Sequence, residues 1–203
     1  MKFILLGLAL MLMVCSCQSD ASKSSDPHTN KTKNIYKNTT LGWSIEIPKD
    51  WRVVSETQFN NQNQEGKKAL AGVMEGTLTT TGLQQLVSFQ KDQYNVFQST
   101  AEAVKDVQEW TANHKNIKEM MSDAFRLQGI QATVSPTRNE KINGLDFEVF
   151  EITIYDMNKE VLVQQISYSR YLKGYDFNIN INYNNPSDKS TMLKALNNSI
   201  FKK

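Results

Sequence analysis

Between Tyr175 and Tyr183 every second residue is large and apolar (Tyr175, Phe177, Ile179, Ile181 and Tyr183), and Asp176, Asn178, Asn180 and Asn182 fill the positions between them. Only an extended chain sorts such a pattern onto two faces, because side chains alternate across a strand with a period of two. The stretch predicts a β-strand with one dry face and one polar face, so the rest of the chain must pack against the dry side.

The residues before it extend the same logic. Val161 to Leu172 reads as a strand that turns at Lys173-Gly174, and Leu145 to Tyr155 reads as a strand that turns at Asp156-Met157-Asn158. Asn143-Gly144 is a strong hairpin signal, because a two-residue type I′ turn needs positive φ at both centres. Gln131 to Ser135 runs towards that turn, which completes a meander. Upstream, Trp43, Ile45 and Ile47 alternate with Ser44 and Glu46, Pro48-Lys49-Asp50 makes a turn, and Trp51, Val53 and Val54 resume as a short strand. Glu56 to Lys68 is rich in Gln and Asn and predicts a loop or frayed helix, with a helical piece through Met74. Leu83 to Phe97 reads as one strand.

The period then changes. Val104, Val107, Trp110, His114, Ile117, Met121 and Phe125 recur at spacings of three and four, which predicts one amphipathic helix from Thr100 to Leu127, stopped by Gly129. His114 lies on the buried stripe of that helix and reads as a hydrogen-bonded histidine at the edge of the core. After Asn184-Asn185-Pro186 a short terminal helix carries Met192, Leu193 and Leu196 inward, with Ser187 as its N-cap. The fold class expected is α+β, an antiparallel meander with helices packed on it.

At the amino terminus Lys2 precedes the apolar run Phe3–Val14, which stops at Cys15-Ser16-Cys17. Twelve residues span about 18 Å as a helix, short of the ~30 Å hydrocarbon core, so the run predicts a signal peptide and not a permanent span. Val14-Cys15-Ser16-Cys17 resembles the lipobox of bacterial lipoproteins, with an aliphatic residue three before the modified cysteine and a small residue directly before it. The resemblance implies cleavage after Ser16 and acylation of Cys17 with palmitate-class chains. Two or three chains anchor stably, where one is marginal. Gln18 follows the cysteine where an Asp would imply inner-membrane retention, so the expected address is the outer membrane, on a face left open.

The chain then divides into a signal peptide over 1–16, an acylated cysteine and tether over 17–33, and one domain over 34–203. Residues 18–33 hold no aromatic or branched aliphatic side chain and predict a flexible tether with a reach on the order of 20–25 Å. His28 falls within it as a solvated spacer. With Cys15 discarded and Cys17 acylated, no disulfide and no cysteine chemistry is open to the domain.

Charge and motif both argue for binding over catalysis. Twenty-three Lys and Arg against 21 Asp and Glu leave a formal charge of +2, too balanced for sequence-independent nucleic-acid binding. There is no G-x-G-x-x-G, P-loop, G-x-S-x-G or H-E-x-x-H, and a Ser-His-Asp triad would have to use His114. No cofactor is expected. Asp146, Glu148 and Glu151 on one strand are the acids to weigh for a hard metal or a paired-carboxylate hydrolase, and Asn178, Asn180 and Asn182 for a polar ligand such as a glycan.

The block Gly42-Trp43-Ser44-Ile45-Glu46-Ile47-Pro48-Lys49-Asp50-Trp51 is similar to the opening motif of the PsbP-like superfamily, where a Gly-aromatic-Ser-hydrophobic strand runs to Pro-x-x-Trp. The long helix, the Asn143-Gly144 hairpin and the closing Asn198-Ser199-Ile200-Phe201 follow that family's order. The resemblance implies an antiparallel sheet flanked by helices, Trp43 and Trp51 in the core, and Pro48 bending the chain. Relatives in plants and cyanobacteria serve as extrinsic photosystem subunits or assembly factors, a role that no segment here matches. The function expected is a membrane-anchored, non-enzymatic envelope module that binds a protein partner or assists assembly. The alternatives are a glycan or divalent-metal binding domain and, last, a carboxylate hydrolase.

Overall fold

A computed structural model describes residues 34–61, 64, 82–115 and 117–202. Cys17, the tether with His28 and the helical piece expected through Met74 lie outside the described residues. The strands are β1 (Ile35–Asn38), β2 (Trp43–Glu46), β3 (Arg52–Val53), β4 (Gln84–Gln90), β5 (Val96–Ala103), β6 (Ala132–Val134), β7 (Arg138–Ile142), β8 (Leu145–Tyr155), β9 (Val161–Leu172), β10 (Tyr175–Tyr183) and β11 (Ile200–Phe201). The helices are α1 (Val107–His114), α2 (Ile117–Leu127) and α3 (Pro186–Asn197), and a further helical segment covers 56–61.

Eight strands form one antiparallel sheet in the order β3-β4-β5-β10-β9-β8-β6, with β7 also paired to β8. Its centre is the meander, and the strands expected at Leu145–Tyr155, Val161–Leu172 and Tyr175–Tyr183 agree with the structure at both ends. The hairpins close where glycine chemistry allows: Asn143 and Gly144 have φ of 48° and 80°, and Lys173 and Gly174 have 52° and 84°. A second sheet, β1-β2-β11, packs over the dry face of the first. There Trp43 meets Phe177 edge-on at 5.1 Å, and α3 adds Met192 and Leu196, both fully buried. Gly42 makes this closure possible. Its φ is +68° and a Cβ there would stand 2.5 Å from the Lys202 carbonyl oxygen, so the motif glycine marks the close approach of β2 to the carboxy-terminal strand.

Four expectations are corrected. Leu83–Phe97 is two strands, because the Asp92 carboxylate accepts the amides of Tyr94 and Asn95 at 2.8 and 2.9 Å and folds 91–95 into a turn. The predicted helix of 100–127 starts too early: Thr100–Ala103 stays extended, with Ala103 opposite Tyr175, and helix begins only where the Asp106 side chain caps the Glu109 amide at 2.9 Å. It is then two helices, α1 and α2. Ser187 is not the N-cap of α3; Asn185 is, accepting from the Asp188 amide at 2.9 Å with Pro186 in the first turn. Trp51 and Val54 flank a strand that holds only Arg52 and Val53.

Candidate functional site

The polar side of β10 is where the chain departs furthest from a simple amphipathic sheet. Asp176, Asn178 and Asn180 are 1%, 2% and 5% exposed, so this face is buried rather than wetted. Antiparallel register extends it across the sheet. Asp176 stands opposite Glu102, Asn178 opposite Thr100 and Ser169, and Asn180 opposite Gln98 and Ser167, and each pair shares a face. Gln85 on β4 continues the Thr100 row. At the β8 end the same face turns apolar, where Phe150 and Ile152 receive Ile117, Met121 and Phe125 of α2.

Helix α1 docks on this polar face through two side chains. The Trp110 indole donates to the Asp176 carboxylate at 2.9 Å, and His114 Nε2 reaches the same carboxylate at 3.1 and 3.2 Å. The two rings lie 4.7 Å apart, one turn from each other on α1. The His114 side chain is 5% exposed, as its place on the stripe predicts. Ser169 brings the three triad residue types together, but not in triad geometry. Its hydroxyl is near both ring nitrogens, at 3.3 Å from Nδ1 and 3.2 Å from Nε2, and 3.5 Å from the Asp176 carboxylate itself, and it is 2% exposed. A triad nucleophile must bond the base alone and meet its substrate, whereas this hydroxyl is shared between base and acid under α1, so the cluster fastens a helix.

Glu102 is the unusual acid. Burial, then the neighbouring Asp176 and Glu109, push its carboxyl up to about 7, and its Oε2 has no hydrogen-bond partner. Four more atoms around it share that condition: Gln85 Oε1, Gln98 Nε2, Thr100 Oγ1 and Asn178 Oδ1. By contrast Asn180 Oδ1 accepts from Ser167 at 2.8 Å and Gln165 at 3.2 Å, so the orphaned atoms are confined to the β4-β5-β10 part of the face. Polar positions of this sort went unrecognised in the sequence, because Gln98, Thr100 and Glu102 lie at the juncture assigned to strand and helix.

The acids singled out on β8 do not assemble. Asp146 is exposed beside Lys141, and Glu151 pairs with Arg138 at 2.9 Å. Glu148 and Glu151 are three positions apart on a strand and so point to opposite faces. Asn178 and Asn180 of the asparagine row are interior, and Asn182 is half-buried at the end of the strand. Among the described residues no group of three His, Cys, Asp or Glu side chains is placed to hold a metal ion, and no helix is long and apolar enough to cross a membrane.

No protein-family model matches the chain, and no curated protein matches it in sequence. Its structure is similar to the solution structure of cyanobacterial PsbP (CyanoP) from Synechocystis sp. PCC 6803. The TM-score is 0.55 at 13% identity, over 89% of this chain and 98% of that one. The fold is PsbP-like, as the opening motif implied.

Proposed function

We propose that the protein is an acyl-anchored lipoprotein of the bacterial outer membrane. Its single PsbP-like domain acts as a non-enzymatic module that binds an envelope protein or assists assembly. The observation that carries the anchoring is the run Phe3–Val14 ending in Ser16-Cys17, followed by sixteen residues with nothing to bury. Support for binding over catalysis comes from the domain itself. Its one histidine is shielded and committed to Asp176, and the β8 carboxylates are split between two faces or neutralised by Lys141 and Arg138.

The anchoring is tested by Cys17→Ala in the host, with membrane fractionation and metabolic labelling with a palmitate analogue. Loss of both label and membrane association is the expected outcome; a Cys17→Ala protein that still pellets with washed membranes overturns it. Crosslinking the acylated protein in its own envelope tests the partner. A ligand-binding reading stands second, favoured by the orphaned polar atoms around Thr100.

A further inference from the structure

The turn between β8 and β9 presents an apolar side chain where a hairpin tip ordinarily carries polar ones. Met157 is 98% exposed, the barest large apolar side chain among the described residues. Its exposure is not slack in the chain. The Asp156 carboxylate accepts the Asn158 and Glu160 amides at 2.8 and 2.9 Å, the Lys159 amide donates to the Asp156 carbonyl at 3.0 Å, and the Glu160 carbonyl accepts the Asp156 amide at 2.9 Å. A closed turn therefore holds Met157 out, which leaves little ordering to be done on contact.

The neighbours continue this surface. Ile154 pairs with Val163 but Tyr155 with Val161, so Leu162 is an extra residue in β9, and Val161 and Leu162 are both exposed. Helix α2 ends close by. The Gln131 carbonyl accepts the Tyr155 amide, which leaves the exposed Leu127 four residues from the base of the tip. β10 stops opposite Gln164, so the hairpin runs on past its neighbour and protrudes. Single exposed apolar residues need no account, whereas a cluster on a projecting tip marks a contact surface.

The chain outside the described residues points to the occupant. In the anchored reading, residues 18–33 join an acylated Cys17 to Asn34 with a reach on the order of 20–25 Å. Asn34 lies beside Val87 and Ser88 of β4. Ser88 is level with Ser167 through Gln98 and Asn180, so the tip stands three strand spacings across and six residues along the sheet, on the order of 25 Å from Asn34. The tether thus spans the distance that brings the tip to the bilayer. A surface held so near acts at an effective concentration in the millimolar range, where contacts too weak to bind alone become occupied.

We propose that the β8–β9 tip is a membrane-docking edge, where Met157, Val161 and Leu162, with Leu127 beside them, insert into the apolar side of a phospholipid interface. It rests on the acyl-anchored reading, from which it takes the tether. A few aliphatic side chains do not hold a protein on a bilayer when even one acyl chain is marginal, so docking is expected only in the tethered protein. The turn carries two acids, Asp156 and Glu160, against Lys159, so apolar burial makes the contact and salt should not weaken it.

The test uses the chain from Cys17 onward, in which that thiol is the only one. Coupling it to a maleimide lipid in vesicles of phosphatidylethanolamine and phosphatidylglycerol installs a tether independently of acylation in the host. Met157→Trp places an indole at the tip, and Val107→Trp places one at an exposed position near the opposite end, where the Val104 amide meets the Gly174 carbonyl. The native indoles of Trp43, Trp51 and Trp110 are buried. Quenching by lipids brominated in their acyl chains is expected to be at least threefold stronger in Met157→Trp than in Val107→Trp, to persist in about 1 M salt, and to be lost when Leu162→Asp is added. Equal quenching at the two positions overturns the proposal, as does quenching that salt abolishes. A tip that stays in water on vesicles but crosslinks to one envelope protein also overturns it, in favour of a protein partner. The anchoring fails separately, by the absence of the palmitate label in the host, which leaves the vesicle result standing.

Discussion

The two faces of the central sheet solve the same problem by opposite means. On one, Phe147, Phe177, Ile179 and Ile181 are fully buried under Trp43, Phe201 and α3; those four carry no polar atom, although the Trp43 indole N–H above them is buried without a partner. On the other, Gln98, Thr100, Glu102, Asp176, Asn178 and Asn180 are as thoroughly buried, and each polar atom has to find a partner or go without. Apolar packing is non-directional and contributes roughly in proportion to area, whereas a buried polar face is stable only where its hydrogen bonds close. The dry face therefore accounts for holding the domain together, and the polar face is the place where specificity and ligand binding can be built.

The sharpest way to break that contrast is Phe177→Ala. This ring is fully buried against Trp43, Phe147 and Phe201, so its loss leaves a cavity and should cost about 3–5 kcal/mol, read as a lower urea midpoint with unchanged slope. Asp176→Ala strikes the other face. It strands the Trp110 indole and the His114 ring, and a loss of about 1–3 kcal/mol is expected. The effect should be local: hydrogen exchange ought to accelerate in 107–114 and barely change in β8. Equal protection losses in both segments would mean that α1 is not held by this carboxylate.

The smallest effect is also of opposite sign. Glu102 titrates near 7 in the folded protein against about 4.3 in the unfolded chain, so the folded state binds the extra proton between those values. Stability should fall as pH rises from about 4.5 to 7 and then level off, since the unfolded state releases its proton first. Glu102→Gln should flatten that slope. At pH 8 it should raise the melting temperature by about 2–4 °C, because it removes a charge that is disfavoured by burial first and by Asp176 second, a cost of about 1 kcal/mol after screening. A parallel pH profile for the variant would assign the slope to another group.

The legibility of the chain follows the same division. Leu145–Tyr155, Val161–Leu172 and Tyr175–Tyr183 could be bounded from sequence because alternation and turn glycine act within a few residues of each other. His114 could be placed on a buried stripe for the same reason. The break at 91–95 was hidden because Tyr94, Val96 and Phe97 keep a strand-like composition, and only the Asp92 side chain, bonding to its own backbone, turns the chain. Thr100–Ala103 were misread because their extension is decided by β10, more than 70 residues later in the chain, and pairing overrides local preference. The polar face of β10 was foreseen, but whether water or α1 would meet it was not.

By itself the sequence determined the alternation of the meander and the glycine turns, since each is set by chemistry local to the chain. Only the tertiary structure decided that Asp176, Asn178 and Thr100 are interior, that Glu102 and Asp176 face each other, and that Glu148 and Glu151 never meet. Those facts depend on which strands become neighbours and what packs over them. A polar residue carries no local mark of whether its partner is solvent or protein.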